Sequence, residues 1–200
     1  MAFFYPISDC SVVVMSGGQS RRMGDEKGLL AMNGNTFVQK ALNLAHQISN
    51  HVFLSVGIHN HEKFQNLEAT VIPDIENNFG PLGGIVSVLP HIQTSWFQLI
   101  SVDAPQFSLE NFEKLYASKA HFDGVVYEND GKIHPLLGLY NIHTKEQWNA
   151  AFSSEKKKIT NVLDELNINY LQAEQEQIRG LQNINTPEEY QLLISKAYGS

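Results

Sequence analysis

Six short apolar runs, rich in β-branched residues, recur along the chain at Ser11–Met15, Val52–Val56, Thr70–Ile72, Phe97–Val102, Gly124–Tyr127 and Ile168–Leu171. Runs that are predominantly apolar, rather than strictly alternating, predict buried strands. Segments with helical spacing lie between them. Phe37, Ala41, Leu44, Ala45 and Ile48 share one face, Ile85, Val88 and Leu89 a second, and Phe112, Leu115 and Tyr116 a third. Strands alternating with helices predict right-handed βαβ crossovers, and so an α/β fold whose largely parallel sheet lies between two helix layers. In such sheets ligands sit at the carboxyl ends of the strands.

Two stretches modify this pattern. Lys132–Asn141 follows an Asp130-Gly131 turn and contains His134-Pro135, which predicts an extended segment, an added strand of opposite direction and therefore a mixed sheet. In Asn183-Ile184-Asn185-Thr186-Pro187-Glu188-Glu189, a capping Thr precedes Pro at the first helical position and acids fill the first turn, predicting a final helix through Lys196. With no internal repeat, low-complexity tract or Pro/Gly/Ser linker, residues 1–200 are expected to form a single domain.

Composition narrows the class. A hydrophobic fraction of 42%, a charged fraction of 18%, 14 Gly and 7 Pro fit an ordinary folded chain and exclude disordered and collagen-like ones. The formal charge of −7 leaves no overall basic field for nucleic acid or an anionic membrane, so neither is expected as a partner. Arg21 is the first basic residue, and Asp25, Glu26 and Lys27 stand where a twin-arginine signal needs an apolar run. No apolar stretch approaches the ~20 residues of a membrane span. The lone Cys10 forms no internal disulfide and has no nucleophile signature around it. A cytoplasmic protein is expected.

Candidate chemistry concentrates where the first strand runs into a Gly-rich, basic loop, Val12-Val13-Val14-Met15-Ser16-Gly17-Gly18-Gln19-Ser20-Arg21-Arg22-Met23-Gly24-Asp25-Glu26-Lys27-Gly28. Gly17 and Gly18 lack the Cβ atoms that keep main-chain N–H groups away from phosphate oxygens. Arg21, Arg22 and Lys27 add positive charge on an otherwise acidic chain, which favours anion binding over a plain solvated turn. The spacing excludes two common phosphate motifs. Five residues separate Gly18 from Gly24 and Gly28 follows Lys27, so this is not a Walker loop. Nor does Gly17-Gly18-Gln19-Ser20 supply the G-x-G-x-x-G order of a dinucleotide fingerprint.

The loop does match the G-G-x-S-x-R-M-G-x-x-K pattern of Rossmann-like nucleotidyltransferases, and the chain resembles the molybdenum cofactor guanylyltransferases. The likeness runs on through Asp25-Glu26-Lys27-Gly28-Leu29-Leu30, Val71-Ile72-Pro73-Asp74, Gly80-Pro81-Leu82-Gly83-Gly84, Ser101-Val102-Asp103-Ala104-Pro105, His134-Pro135 and Asn183–Glu188. It implies a Rossmann-like three-layer sandwich with GTP, Mg²⁺ and molybdopterin as ligands, and it leaves open cofactor-insertion or GTP-binding accessory proteins as partners. The Gly17-Gly18 pair, where cytidylyl relatives typically read Ala-Gly, leans toward guanylyl transfer. CTP, a sugar or polyol phosphate acceptor, and nucleotide binding without turnover are the competing readings.

The resemblance assigns roles residue by residue. Lys27, Arg22 and Asp103 would be catalytic, and Met15, Ser16, Gly17, Gly18, Lys27, Ser55, Asp74, Gly80 and Asp103 would bind the nucleotide. Asp103 also suits a metal by its own position near a strand end, before Pro105, although an aspartate capping the helix that starts near Ser108 is the alternative. Asp74 occupies a comparable strand end and either contacts the ligand or holds a turn. Gly80-Pro81 and Gly83-Gly84 would admit a flat base, or simply open a helix. Asn185 either offers an amide oxygen near the metal or satisfies its turn. Relatives commonly carry Asn at the position of Ser55 and Leu-Ala at that of Met15-Ser16. The basic run Lys156-Lys157-Lys158 starts a helix or, as the family implies, faces the pterin phosphate near His134. His59-Asn60-His61 lacks a third nearby ligand for zinc.

Overall fold

The computed structural model describes residues 4–16, 30–32, 34–76, 79–154 and 158–198. Its central sheet contains β1 (Cys10–Met15), β4 (Val52–Val56), β5 (Thr70–Pro73), β6 (Trp96–Ser101), β7 (Gly124–Asn129), β8 (Lys132–Ile133), β9 (Leu139–Asn141) and β10 (Ile168–Gln172). A separate two-stranded ribbon, β2 (Ala31–Met32) and β3 (Asn35–Thr36), turns at Gly34, whose φ of +79° suits a residue without Cβ.

The sheet order is β10-β7-β9-β6-β1-β4-β5, with β8 added on β7. β6, β1, β4 and β5 pair in parallel, as do β7 and β10. β9 lies antiparallel between β6 and β7, so the sheet is mostly parallel and mixed, as the sequence predicts. Asp130 and Gly131 both take positive φ at the β7–β8 turn, which accounts for the hairpin there. The expected extended run 132–141 is interrupted at Pro135–Leu137, a single helical turn closed by Leu137 N–H to His134 O and Gly138 N–H to Pro135 O.

Period-two side-chain alternation divides the core between the two helix layers. Val12, Val14, Leu54, Ile100 and Tyr127 face α1 (Phe37–Ile48) and α4 (Leu109–Ala117). Val13, Phe53, Phe97, Leu99 and Val126 face α3 (Gly80–Val88), α5 (Lys145–Ser153) and α6 (Ile159–Leu163). The remaining helices are α2 (His61–Phe64), α7 (Gln175–Ile178) and α8 (Pro187–Tyr198). α1 starts at a capping box between Thr36 and Gln39, and it buries Leu42 in addition to the expected face, on which Leu44 is half-buried against the core. Cys10 is fully buried at the head of β1.

Two expectations require correction. β5 and β10 are the sheet's edges and are only partly buried, because a short apolar run does not distinguish a central strand from an edge. The strand expected over Phe97–Val102 ends at Ser101, since Ala104 N–H bonds back to Ser101 O and draws Val102 and Asp103 into a turn. No helix among the described residues is long and apolar enough to cross a membrane.

Candidate active site

The chain passes from β1 to β4 and β5 on one side, then returns through α3 to β6 on the other side of β1. This reversal opens a crevice beyond the carboxyl ends of β1 and β6, the usual ligand position in open α/β sheets. Bonds at the strand ends tie β1, β4, β5 and β6 together there. Ser16 N–H donates to Ser55 O at 2.9 Å, Asp74 N–H to Val56 O at 2.9 Å, and Val102 N–H to Met15 O at 3.2 Å. Met15, Ser16, Ser55, Asp74 and the Ser101–Asp103 turn therefore share one edge of the sheet.

Asp74 follows β5 directly, and its Oδ1 accepts the Ser55 hydroxyl at 3.1 Å. Burial pushes its carboxyl up to about 6, with the Ser55 bond pulling the other way. Gly84 of α3 lies against this pair. A Cβ on it would stand 2.3 Å from Ser55 Oγ, 2.9 Å from Met15 Cε and 3.1 Å from Asp74 Oδ1. Gly83 is likewise closed in by Phe79, whose ring packs 4.5 Å from that of Phe152. The sequence leaves Gly83-Gly84 open between a seat for a base and a helix start. Their Cβ positions are filled by the protein itself. Gly80 differs, because its φ of +59° needs glycine and, among the described residues, no atom lies within 4 Å of its Cβ position.

Asp103 sits in the turn after β6. Its N–H donates to Ser101 Oγ at 3.3 Å, and its carbonyl accepts Ile184 N–H at 2.7 Å. The alternative that it caps the following helix is overturned, because Ser108 caps α4 in a capping box with Asn111. Asn185 adjoins the Ile184 contact. The α8 capping group holds its backbone, with Glu189 Oε2 accepting the N–H groups of both Asn185 and Thr186. Tyr190 of α8 donates to Ala31 O at 2.6 Å and meets Phe37 edge-on, so α8 also closes over the β2–β3 ribbon.

Among the described residues, no three His, Cys, Asp or Glu side chains stand close enough to cage a metal. Asp103 brings one carboxylate to the turn after β6, with the Ser101 hydroxyl bonded to its N–H, so the donors here are oxygen. Such a set fits Mg²⁺, which keeps several waters and takes one or two carboxylates together with substrate phosphates.

Gly17, Gly18, Arg21, Arg22 and Lys27 lie outside the described residues, as do Lys156 and Lys157. Lys158 precedes α6 as its N-cap residue without a side-chain cap bond. His134 is 8% exposed, its N–H donating to Tyr127 O, and burial followed by the Lys132 charge lowers its imidazole pKa. Sequence reasoning passed over Ser87, whose Oγ accepts Ile75 N–H at 2.8 Å and donates to Gly83 O at 2.7 Å. It quoted Ser101 and Glu189 within wider motifs but gave neither a bond of its own, although a Thr followed three residues later by Glu is a readable capping signal.

A mostly parallel sheet with two aspartates at its carboxyl edge defines an α/β protein with a candidate ligand site at the strand ends. Comparison with known proteins gives the family. The model of the MobA-like NTP transferase domain matches residues 12–170. A Bacillus cereus (strain Q1) protein named "Probable molybdenum cofactor guanylyltransferase" is 33% identical over 184 residues, covering 89% of this chain and 92% of its own. Among solved structures, molybdopterin-guanine dinucleotide biosynthesis protein A from Archaeoglobus fulgidus superposes with a TM-score of 0.82 at 23% identity, covering 95% of this chain and all of that one. The 4-diphosphocytidyl-2C-methyl-D-erythritol synthase of Anaerococcus prevotii shares the fold at a TM-score of 0.71 and 10% identity, over 94% and 95% of the two chains. The chain belongs to the MobA-like NTP transferase family, and it is a nucleotidyltransferase.

Proposed function

We propose that this chain is a cytoplasmic enzyme that transfers GMP from GTP to the terminal phosphate of molybdopterin and releases pyrophosphate. The observation that carries the reading is the gathering of Ser16, Asp74 and Asp103 on one sheet edge, where the Gly17–Lys27 sequence leaves β1. The name of the Bacillus cereus relative supports the guanylyl assignment.

In this reading Asp74 accepts hydrogen bonds from the nucleoside part of GTP, and Met15, Ser16, Gly17, Gly18 and Gly80 present backbone around it. Asp103 would hold Mg²⁺, with Asn185 close by in the chain, and a bound Mg²⁺ would supply charge neutralisation for the triphosphate. Lys27 and Arg22 hold the leaving pyrophosphate. No side-chain base is needed, because a phosphate monoester has a second pKa of about 6 and is mostly dianionic at neutral pH. The chain's task is to keep attacking oxygen, phosphorus and leaving oxygen in line.

The test is pyrophosphate release from GTP with purified molybdopterin and Mg²⁺, run beside CTP and ATP. Release with GTP well above the other two is the expected result. Preference for CTP moves the chain to cytidylyl transfer, and binding without release makes it a carrier.

A further inference from the structure

We infer that Ser87 is a positioning residue for Asp74, acting through the peptide that joins Asp74 to Ile75. This rests on the proposed role of Asp74 in holding the nucleotide. Ser87 stands in α3 among Leu82, Ile85, Val86 and Val88, all buried, and is itself 5% exposed. A hydroxyl in such a helix is not there for helix stability, since serine is a poorer helix former than alanine. Its bonds give the reason. The hydroxyl hydrogen goes to Gly83 O at 2.7 Å, one helical turn back, and this turns an oxygen lone pair toward Ile75 N–H at 2.8 Å.

What Ser87 holds is backbone, because the Ile75 side chain is 54% exposed. The peptide before Asp74 is fixed by its N–H on Val56 O, and the peptide after it by Ser87. The carboxylate is then aimed by the Ser55 hydroxyl over the bare Cα of Gly84. Both peptides and the side chain of Asp74 are thus set by β4 and α3, and neither element needs the loop that follows. A contact to the nucleoside part of the substrate is made alike in ground and transition states, so loosening it raises KM and spares kcat.

The experiment compares steady-state kinetics for Ser87→Ala, Ser87→Thr and the unsubstituted chain, with thermal unfolding of each. In Ser87→Ala, KM for GTP is expected to rise about five- to tenfold, the loss of one ordinary hydrogen bond, with kcat within about twofold. Ser87→Thr keeps donor and acceptor and is expected to restore KM. A parental KM in a folded Ser87→Ala, or kcat falling as far as KM rises, overturns the inference. Should Ser87→Ala fail to fold, Ser87→Cys, with its weak acceptor, carries the same expectation. The unsubstituted chain is assayed first with GTP and CTP. Turnover of CTP alone refutes the guanylyl reading, and the same KM ratio measured with CTP then judges Ser87 by itself.

Discussion

The Ser55 hydroxyl donates to Asp74 Oδ1 across 3.1 Å, joining the ends of two neighbouring strands through a half-buried carboxylate. Burial is the larger influence on that carboxyl and carries its pKa from 3.8 to about 6, against the opposing pull of the Ser55 bond. An acid whose pKa is higher in the folded chain than in the unfolded one favours folding while protonated. That contribution is fully present below about 3.8 and is lost as the pH rises through about 6. Asp74→Asn stays neutral throughout. Its unfolding free energy, relative to the parent, is expected to grow between about pH 4 and 7 in denaturant titrations. A flat difference across that window would show that Asp74 titrates like an exposed carboxylate.

Gly84→Ala places a methyl 2.3 Å from Ser55 Oγ and 2.9 Å from Met15 Cε, so the side chains at the strand ends must give way. Overpacking of this kind typically costs about 1–3 kcal/mol. The expected outcome is a lower denaturation midpoint together with weaker GTP binding, since the displaced atoms include Asp74 Oδ1. Calorimetry and urea unfolding on one preparation check both. Parental affinity in a destabilised variant would separate the glycine from the site.

Asp103→Asn is expected to fold normally, because Asn is nearly isosteric and makes the same turn-type hydrogen bonds as Asp, while Ser108 caps α4. Transfer should fall by roughly 10²–10³, as for other lost electrostatic groups. Single-turnover transfer across a Mg²⁺ titration, with circular dichroism as the folding control, gives the answer. Near-parental transfer at ordinary Mg²⁺ would shift the metal role to another group, with Asp74 the first to examine.

How far the sequence was readable depends on what fixed each element. Val52–Val56 is buried throughout, so a mostly apolar run, broken only by Ser55, was enough to bound β4. β10 has the same kind of run, but its position at the sheet edge depends on pairing with β7, which local pattern does not encode. α5 was passed over because only Trp148 of its nine residues is fully committed to the core. In the site, strand-end logic located Asp74 and Asp103. Ser87 was out of reach, since a lone serine in an apolar helix acquires meaning only when Ile75 is folded against it. The inward use of Gly84 was hidden for the same reason, as its neighbours come from β1, β4 and the end of β5.

Leu193 packs with Met32, Phe37 and Ile184 in a small cluster beneath α8. Leu193→Ala should cost about 2 kcal/mol or more by opening a cavity. Because Ile184 also holds the Asp103 carbonyl, the variant is expected to need more Mg²⁺ for half-maximal transfer. An unchanged Mg²⁺ dependence in a measurably destabilised variant would show that α8 supports the fold alone.

The bond from Tyr190 to Ala31 spans 159 positions of the chain. During synthesis at ~5–20 residues per second, Ala31 leaves the ribosome roughly 8–30 s before its partner. Throughout that interval the nascent polypeptide has its β1 strand end but not the helix that covers the β2–β3 ribbon and abuts the Asp103 turn. Messages that break off before α8 therefore yield products that lack both the Tyr190 bond to Ala31 and the packing of Leu193 on Met32 and Phe37.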